Sequence, residues 1–156
     1  MGAVDVDVHG PWAVVAGASE GLGAAFATDL ARRGFKLVLL ARRIGPLEAL
    51  AAELDTETLT ASVDLADGDA LEKIRAITDD LDVGLLVYNA AFAPIGTFLS
   101  VPLQDRLKIL DVNCRAPVIL LDHFAGRMVA RGGGGLLLMS SMSGWQWSGH
   151  VGTYAA

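Results

Sequence analysis

The chain has 156 residues, of which 53% are apolar and 19% charged, and its 12 basic and 18 acidic residues give a net charge of −6. This length is typical of one domain, residues 1–156, and the lack of a basic cluster argues against a nucleic-acid partner. The apolar fraction exceeds the usual ~45–50%, which indicates apolar surface that contacts a partner or further chain.

Short apolar runs alternate with segments of helical period along the chain. The runs predict buried parallel strands over residues 12–17, 36–41, 58–65, 83–90 and 136–141. Between them, helices are predicted over residues 22–33, 46–54, 68–79 and 103–131, with a long loop over residues 91–102. This alternation is typical of an α/β fold with a doubly wound parallel sheet.

Two of these helices have features that depend on single residues. Asp67 is predicted to cap the third helix. In the fourth, Pro117 has no N–H to donate to the Asn113 carbonyl, so we expect a bent helix and a free carbonyl that binds water. The alternative is a simple proline kink with Asn113 packed. The apolar residues of this helix recur at steps of three and four, at Leu103, Leu107, Leu110, Cys114, Pro117 and Leu121.

The sequence also bears on the protein's location. Cys114 is the one cysteine and cannot form an internal disulfide, which favours a reducing compartment. The first ten residues, MGAVDVDVHG, are too acidic for a signal peptide and lack the Ser or Thr of a myristoylation motif. Since no run of eighteen apolar residues occurs, we expect a cytoplasmic protein without a membrane partner.

A glycine-rich turn, AGASEGLG, joins the first strand to the first helix at residues 16–23. Its Gly17, Gly21 and Gly23 permit a tight turn and close approach of a phosphate, and the start of the helix favours an anion. A Walker A loop is excluded, because no Gly-Lys-Ser/Thr follows. The alternative is a glycine-rich turn that binds no ligand.

Arg42 and Arg43 follow the second strand, where dinucleotide folds distinguish NAD from NADP. An acidic residue there would hold the ribose 2′-hydroxyl, whereas a guanidinium suits a 2′-phosphate through its fixed fork of donors. We therefore expect NADP(H) to be preferred over NAD(H), with Glu20 in the glycine turn acting weakly in the other direction. The alternative is that both arginines are solvated residues at a helix start.

Taken in order, these motifs resemble those of the short-chain dehydrogenase/reductase family. The glycine spacing, YNAA at residues 88–91, Asn113, and Ser141 followed by Tyr154 are similar to the family's cofactor loop, N-N-A-G stretch, helical Asn, and Ser and Tyr-x-x-x-Lys residues. The resemblance covers essentially the whole chain and departs in YNAA and at Ala16, where threonine is usual. It implies a Rossmann-like sheet with strand order 3-2-1-4-5.

The resemblance implies an NAD(P)-dependent oxidoreductase that transfers a hydride between nicotinamide and a small-molecule carbonyl or alcohol substrate. Tyr154 would act as the acid or base, Ser141 would hydrogen-bond the substrate oxygen, and the main-chain carbonyl of Asn113 would hold a relay water. No metal site is expected. Cofactor-binding roles fall on Gly17, Ser19, Glu20, Gly21, Leu22, Gly23, Arg42, Arg43, Asp64, Leu65, Asn89, Ala90 and Ala91.

Among these cofactor residues, the resemblance implies that the Asp64 carboxylate accepts a hydrogen bond from the adenine amino group. Several of the proposed site residues have a structural alternative as well. Asp64 would then anchor a loop, and Asn89 would tie neighbouring strands together. Ser141 would satisfy a loop amide, and Tyr154 would be an aromatic at the edge of the core.

Two tryptophans and a histidine lie between the predicted catalytic serine and tyrosine. Trp145 and Trp147 either line an apolar substrate pocket or pack against further chain. His150 is interpreted as a loop histidine, because a Tyr–Lys scheme needs no histidine.

The lysine of the family motif would stand two positions past Ala156, outside the sequence. The sixth and seventh strands and the substrate region of the family are missing with it, so we expect a C-terminally truncated domain with little turnover. Full-length members of the family are expected to be homodimers or tetramers.

Two other functions remain as alternatives. One is a non-catalytic dinucleotide-binding or interaction module that pairs through the long helix and the open fifth strand. The other is a methyltransferase of similar fold, which is disfavoured because Arg42 stands where such sites usually place an acidic residue.

Overall fold

The computed structural model describes residues 4–146 and 148–156 of the chain. Its strands are β1 (Trp12–Ala16), β2 (Lys36–Ala41), β3 (Thr58–Ser62), β4 (Val83–Tyr88) and β5 (Gly135–Leu138). They form one parallel sheet with the order β3-β2-β1-β4-β5. The predicted Rossmann-like sheet and its strand order are therefore confirmed.

Helices connect the strands. They are α1 (Val6–His9), α2 (Gly21–Arg32), α3 (Ile44–Glu53), α4 (Ala70–Thr78), α5 (Leu103–Leu110), α6 (Ala116–Arg131) and α7 (Gly152–Ala155). Among the described residues, none of the helices combines the length and the apolar character that crossing a membrane requires.

The sheet is buried on both faces. On one face, Val14 of β1 and Leu40 of β2 belong to a cluster that includes Phe124 of α6. On the other face, Val15 of β1 belongs to a cluster that includes Leu47 of α3. Because helices cover both faces, the central strands are continuous apolar runs rather than alternating ones. Because the strands are parallel, their carboxyl ends lie at the same edge of the sheet.

β3 ends earlier than the sequence predicts, at Ser62 rather than at residue 65. The chain turns at Asp64, whose carbonyl accepts a 3.0 Å hydrogen bond from the N–H of Asp67. The Asp64 carboxylate accepts another of 3.0 Å from the N–H of Ala66. An aspartate that bonds the backbone two residues on is typical of a turn, which places this side chain at the carboxyl edge.

β4 and β5 are also shorter than predicted, ending at Tyr88 and Leu138. The N–H of Met139 still donates to the Tyr88 carbonyl at 2.9 Å, and the chain then leaves the sheet. Ser141 therefore lies past the strand, as the cap of a 3₁₀ turn over Met142–Gly144.

The prediction that Asp67 caps α4 is wrong. The helix begins at Ala70, and the residue at its cap position is Asp69. Asp67 precedes the first helical residue by three positions, too far to cap the helix, and its carboxylate lies 3.4 Å from the Lys73 ammonium instead. α1, which the sequence did not predict, is one turn capped by the Asp5 side chain.

The long helix predicted over residues 103–131 is divided by a π turn at Asp111–Arg115. There the N–H of Ala116 donates to the carbonyl of Asp111, five residues back, instead of to Val112. The Val112 carbonyl, left without its usual helical donor, accepts a hydrogen bond from the buried hydroxyl of Tyr88. A π turn is one recognised cause of a disturbed helix, and here it lies just before Pro117, near which we expected a bend and a free Asn113 carbonyl.

The apolar residues of α5 do not all face the core. Leu103, Leu107 and Leu110 are exposed, whereas Ile109 is buried. The stripe read from the sequence over the first turns of the long helix is therefore a surface stripe. α6 packs on the sheet through a different set of residues, Ala116, Pro117, Leu120, Phe124 and Met128.

Candidate active site

A cleft of about 440 Å³ opens at the carboxyl edge of the sheet. All the predicted cofactor-binding residues line it except Gly21, Leu22 and Gly23, which form the start of α2. Its walls are Gly17, Ser19, Glu20, Ala41, Arg42, Arg43, Val63, Asp64, Leu65, Asn89, Ala90, Ala91, Phe92 and Val112. The structure thus brings together residues from four loops that are distant in sequence.

The glycine turn has no room for side chains at two positions. Gly17 has a φ of +81°, and a Cβ there would lie 2.7 Å from the Ala90 backbone. A Cβ on Gly23 would collide with the Gly17 carbonyl oxygen and lie 2.8 Å from the Asn89 amide nitrogen. Glycine is therefore required for both the backbone conformation and the close contact of turn and strand. The bare backbone leaves a cradle at the start of α2 that suits phosphate groups.

Asn89 ties β4 to the glycine turn. Its side-chain amide donates to the Gly17 carbonyl at 3.1 Å, and its N–H donates to the Ala16 carbonyl at 3.0 Å. The structural alternative for this residue is therefore present in the structure. It is compatible with cofactor contact, since Asn89 also lines the cleft.

The two arginines after β2 have different surroundings. Arg43 pairs with Glu20 across the mouth of the cleft, with 2.9 Å between guanidinium nitrogen and carboxylate oxygen, and both side chains are well exposed. An exposed ion pair of this kind contributes only about 0–1 kcal/mol to stability. The Arg42 guanidinium forms no ion pair with a described residue. The main-chain carbonyl of Arg42 accepts a 2.9 Å hydrogen bond from the Ser62 hydroxyl.

The Asp64 carboxylate, in another wall of the cleft, is held by one hydrogen bond on each of its oxygens. One carboxylate oxygen accepts from Ala66, and the other lies 2.7 Å from the Lys108 ammonium. Partial burial favours a higher pKa, but the hydrogen bonds from Lys108 and Ala66 and the charge of Arg42 outweigh it and hold the pKa of Asp64 below its usual value. The carboxylate is therefore ionised and accepts hydrogen bonds only.

Asn113 faces the loop after β4. Its side-chain oxygen accepts from the N–H of Phe92 and its amide donates to the Phe92 carbonyl, both at 2.9 Å. This two-way clamp fixes Phe92 in the cleft wall. The predicted water-binding role of the Asn113 carbonyl stays a prediction.

Ser141 and Tyr154 lie beyond the cleft, on short elements. The Ser141 hydroxyl oxygen accepts from the N–H of Ser143 at 3.1 Å, which is the structural alternative given above. Tyr154 is half-buried on α7, and this helix packs against the Met142–Gly144 turn that Ser141 caps. The two segments are thus adjacent, although no hydrogen bond joins the side chains of these two described residues.

The segment between the two hydroxyls is mostly exposed. Trp145 is 88% exposed, and Trp147 lies outside the described residues. His150 is in the loop, and its carbonyl accepts from the N–H of Gly96 at 2.8 Å. Within residues 4–146 and 148–156, no three His, Cys, Asp or Glu side chains form a group that could hold a metal ion.

Sequence reasoning missed five residues of this site. Lys108 lies 44 residues from Asp64, and no local pattern connects them. Each of the other four stands directly beside a predicted site residue in the sequence. They are Ala41, Val63, Phe92 and Val112.

Comparison with known proteins agrees with the motifs and the geometry. The sequence model of the short chain dehydrogenase family matches residues 11–156. The chain belongs to the short-chain dehydrogenase family. The resemblance read from the glycine turn, Asn113, Ser141 and Tyr154 is therefore confirmed at the level of the family.

Relatives of this short-chain dehydrogenase include enzymes with different substrates. The chain is 35% identical to a 7beta-hydroxysteroid dehydrogenase of Clostridium sardiniense, over 95% of this chain and 58% of that protein. It is 34% identical to a very-long-chain 3-oxoacyl-CoA reductase of Pyricularia oryzae, over 94% of this chain and 47% of that one. The chain thus spans about half the length of these curated relatives.

Solved structures give the same result for the short-chain dehydrogenase fold. A structure from a study of 7beta-hydroxysteroid dehydrogenase stereoselectivity superposes with a TM-score of 0.91 at 28% identity, covering 96% of this chain and 60% of the other. A short-chain dehydrogenase of Sphingobium yanoikuyae in complex with NADPH has a TM-score of 0.85 at 31% identity, covering 93% and 59%.

Proposed function

We propose that this short-chain dehydrogenase uses NADP(H) to interconvert a small-molecule carbonyl and the corresponding alcohol. The observation that carries the proposal is the cleft at the carboxyl edge, with a glycine turn that has no room for a side chain at Gly17 on one wall and Arg42 on another. A ligand with a pyrophosphate, an extra phosphate and a base matches these walls. The NADPH complex of the Sphingobium yanoikuyae relative supports the same cofactor class.

The glycine turn would hold the pyrophosphate. The first N–H groups of α2 have no helical acceptor and no side-chain cap, and Gly17 and Gly23 let the turn pack closely against Ala90 and Asn89. We propose that Ser19, Gly21 and Leu22 lie along the phosphates. The positive end of the helix dipole adds to their attraction for an anion.

Arg42 would select the 2′-phosphate. Arg43 is engaged by Glu20, which also neutralises the one acidic side chain of the glycine turn. The Arg42 guanidinium keeps its donors for a ligand at the cleft, since no described residue forms an ion pair with it. A charge-assisted hydrogen bond to phosphate is worth about 1.5–3 kcal/mol, which is ample for cofactor discrimination.

Tyr154 and Ser141 would act at the substrate oxygen. The cofactor supplies or receives the hydride when bound. The Tyr154 hydroxyl would give a proton to the developing alkoxide or take one in reverse, while Ser141 orients the oxygen and the Asn113 carbonyl holds a relay water. Positive charge near a tyrosine makes its hydroxyl a stronger acid. Since the family lysine would stand two positions past Ala156, we expect residues 1–156 alone to bind cofactor with little turnover.

The exposed stripe on α5 supports the further proposal that the whole protein is a homodimer or tetramer. Leu103, Leu107 and Leu110 are each at least 44% exposed and lie on one side of the helix. Exposed apolar residues at helical spacing commonly mark a contact with another protein chain. Sedimentation measurements on the purified protein would show the assembly.

Calorimetric titration of the purified chain with NADPH and NADH tests the proposal. We expect NADPH to bind at least about tenfold more tightly, and Arg42→Ala to remove most of that preference. Arg43→Ala is the matched control, because this neighbouring guanidinium is engaged by Glu20 and its loss should change the preference less. A chain that binds neither dinucleotide would contradict the proposal.

An assay of NADPH oxidation distinguishes an enzyme from a non-catalytic binding module. If a form of the protein that includes the motif lysine binds NADPH but never oxidises it with any ketone of a broad panel, the non-catalytic alternative is favoured. Oxidation of NADPH by that form, abolished by Tyr154→Phe, would support the enzyme.

A further inference from the structure

Lys108 joins two walls of the cleft. Its ammonium is 2.7 Å from the Asp64 carboxylate, which follows β3, and 5.6 Å from the centroid of the Phe92 ring, which follows β4. Lys108 itself belongs to α5, an element outside the cleft lining. One side chain therefore connects this helix to both strand ends on the same side of the site.

This ion pair is better shielded than the others. The Lys108 and Asp64 side chains are 29% and 25% exposed, and no other ion pair between described residues has both partners below a third. By contrast, the Arg43 and Glu20 side chains are 61% and 77% exposed. Charges held away from bulk water interact more strongly and are screened less by salt.

The ion pair leaves Asp64 with free sites for accepting further hydrogen bonds. Each carboxylate oxygen has about two acceptor sites, and Ala66 and Lys108 occupy one on each oxygen. The remaining sites accept from a donor and repel another acceptor. Asp64 thus suits a base with an exocyclic amino group at its edge and disfavours one with a carbonyl oxygen there.

Phe92, the second residue that Lys108 contacts, is held in place as well. The Asn113 side chain clamps the Phe92 backbone through two hydrogen bonds of 2.9 Å. α5 and the π turn therefore form one brace, in which Lys108 and Asn113 each hold one wall of the cleft.

We propose that Lys108 is a positioning residue that holds Asp64 as the acceptor for the adenine amino group, so that the choice of base depends on α5. This inference rests on the proposed cofactor site. It assigns a selective role to a side chain that need not touch the cofactor.

The test compares two dinucleotides that differ at one group of the base. Calorimetry gives the dissociation constants of NADPH and of its reduced hypoxanthine analogue, in which a carbonyl oxygen replaces the amino group. For the unaltered chain we expect NADPH to bind about tenfold more tightly, the equivalent of one hydrogen bond. Lys108→Met, which keeps most of the length but removes the charge, should reduce this ratio to about twofold, whereas Lys108→Arg should retain most of it.

Lys73→Met is the matched control. Lys73 is likewise an ion-paired lysine, but it lies on α4 and its partners are the carboxylates of Asp67 and Asp69. Its removal should leave the ratio of the two dissociation constants unchanged. General damage to the fold would weaken both dinucleotides equally, so the ratio distinguishes positioning from a structural effect.

Asp64→Asn adds an independent readout. The amide can donate to the hypoxanthine carbonyl, so the preference for NADPH should disappear, and Lys108→Met should have no further effect in that background. An unchanged ratio in Lys108→Met, or an equal loss for both dinucleotides, would overturn the inference while leaving the proposed function in place. If the unaltered chain binds neither dinucleotide, both proposals are wrong.

Discussion

At the cofactor end of the site, β1 and β4 are buried along their whole length, whereas at the Ser141 end β5 alternates between half-buried and exposed residues. The first region presents Gly17, Asn89 and Asp64 from the ends of strands. The second presents Ser141 on a three-residue turn and Tyr154 on a four-residue helix. Backbone packing therefore defines the cofactor end, while short local elements define the other.

The difference shows which part of the site the described residues hold rigidly. Around the glycine turn, a single added methyl group would collide with backbone atoms at two positions, Gly17 and Gly23. Between Ser141 and Tyr154 the chain is more open, and Trp145 in this segment is 88% exposed. Substitutions should consequently have large effects on stability at the cofactor end and small ones at the other.

The largest effect is expected for Gly23→Ala. The new methyl group would collide with the Gly17 carbonyl and press on Asn89, so the turn and β4 must separate. We expect a loss of about 2–3 kcal/mol in the free energy of unfolding, as for other overpacked sites, together with weaker NADPH binding. Urea denaturation measures the first and calorimetry the second.

Gly126→Ala is the control for this change. Gly126 also lies within a helix, but a Cβ there meets nothing within 4 Å. Since alanine is the better helix former, this variant should be more stable by roughly 0.5–1 kcal/mol. If the two substitutions had similar effects on stability, the cofactor end would not be the tightly packed region that the structure indicates.

The sequence predicts much of the cofactor end because its signals are local. Continuous apolar runs identify the strands, and the glycines and arginines stand directly after them. The ion pair of Lys108 with Asp64 was not predictable, because the two residues are 44 positions apart and meet only through the folded sheet. Pro117 signals a disturbed helix, but the π turn depends also on Tyr88, which supplies a hydroxyl from β4.

The next largest effect on stability is expected for removal of the Tyr88 hydroxyl. Tyr88→Phe would leave the buried Val112 carbonyl of the π turn without its donor. Burial raises the pKa of the Tyr88 hydroxyl, so it remains a donor at neutral pH. An unsatisfied buried carbonyl costs about 1–3 kcal/mol, and we expect a loss of stability in that range from urea denaturation.

Tyr154→Phe is the matched substitution at the other end. Its hydroxyl has no hydrogen-bond partner among the described residues, and the side chain is half-buried. Stability should change by less than about 0.5 kcal/mol. A loss as large as that of Tyr88→Phe would show that the Tyr154 end is held more firmly than its short elements suggest.

A smaller effect, and one that depends on pH, is expected for Asp64→Asn. Because the pKa of Asp64 is lowered in the folded protein, the ionised carboxylate stabilises the fold above the ordinary carboxyl pKa of about 3.9. That stabilisation is lost as the pH falls through the lower pKa of the folded state. The difference in stability between the unaltered chain and the variant should therefore be constant near neutral pH and narrow in acid.

Lys73→Met again provides the comparison, since it removes an exposed cation on α4 that pairs with carboxylates outside the cleft. Measured by urea denaturation at a series of pH values, it should alter stability little throughout. If the difference for Asp64→Asn instead widened in acid, the proposed pairing of Asp64 with Lys108 would be contradicted.

A small effect on stability is also expected for Ser141→Ala. The substitution removes one hydrogen bond, from the N–H of Ser143 to the Ser141 hydroxyl, at the start of a three-residue turn. Because this turn lies outside the sheet, water can replace the lost acceptor, and the loss should be about 0.5 kcal/mol, the lower end for a cap. Ser141→Thr keeps the acceptor and should restore the stability. A loss by Ser141→Ala as large as that of Gly23→Ala would mean that the two ends of the site are equally constrained.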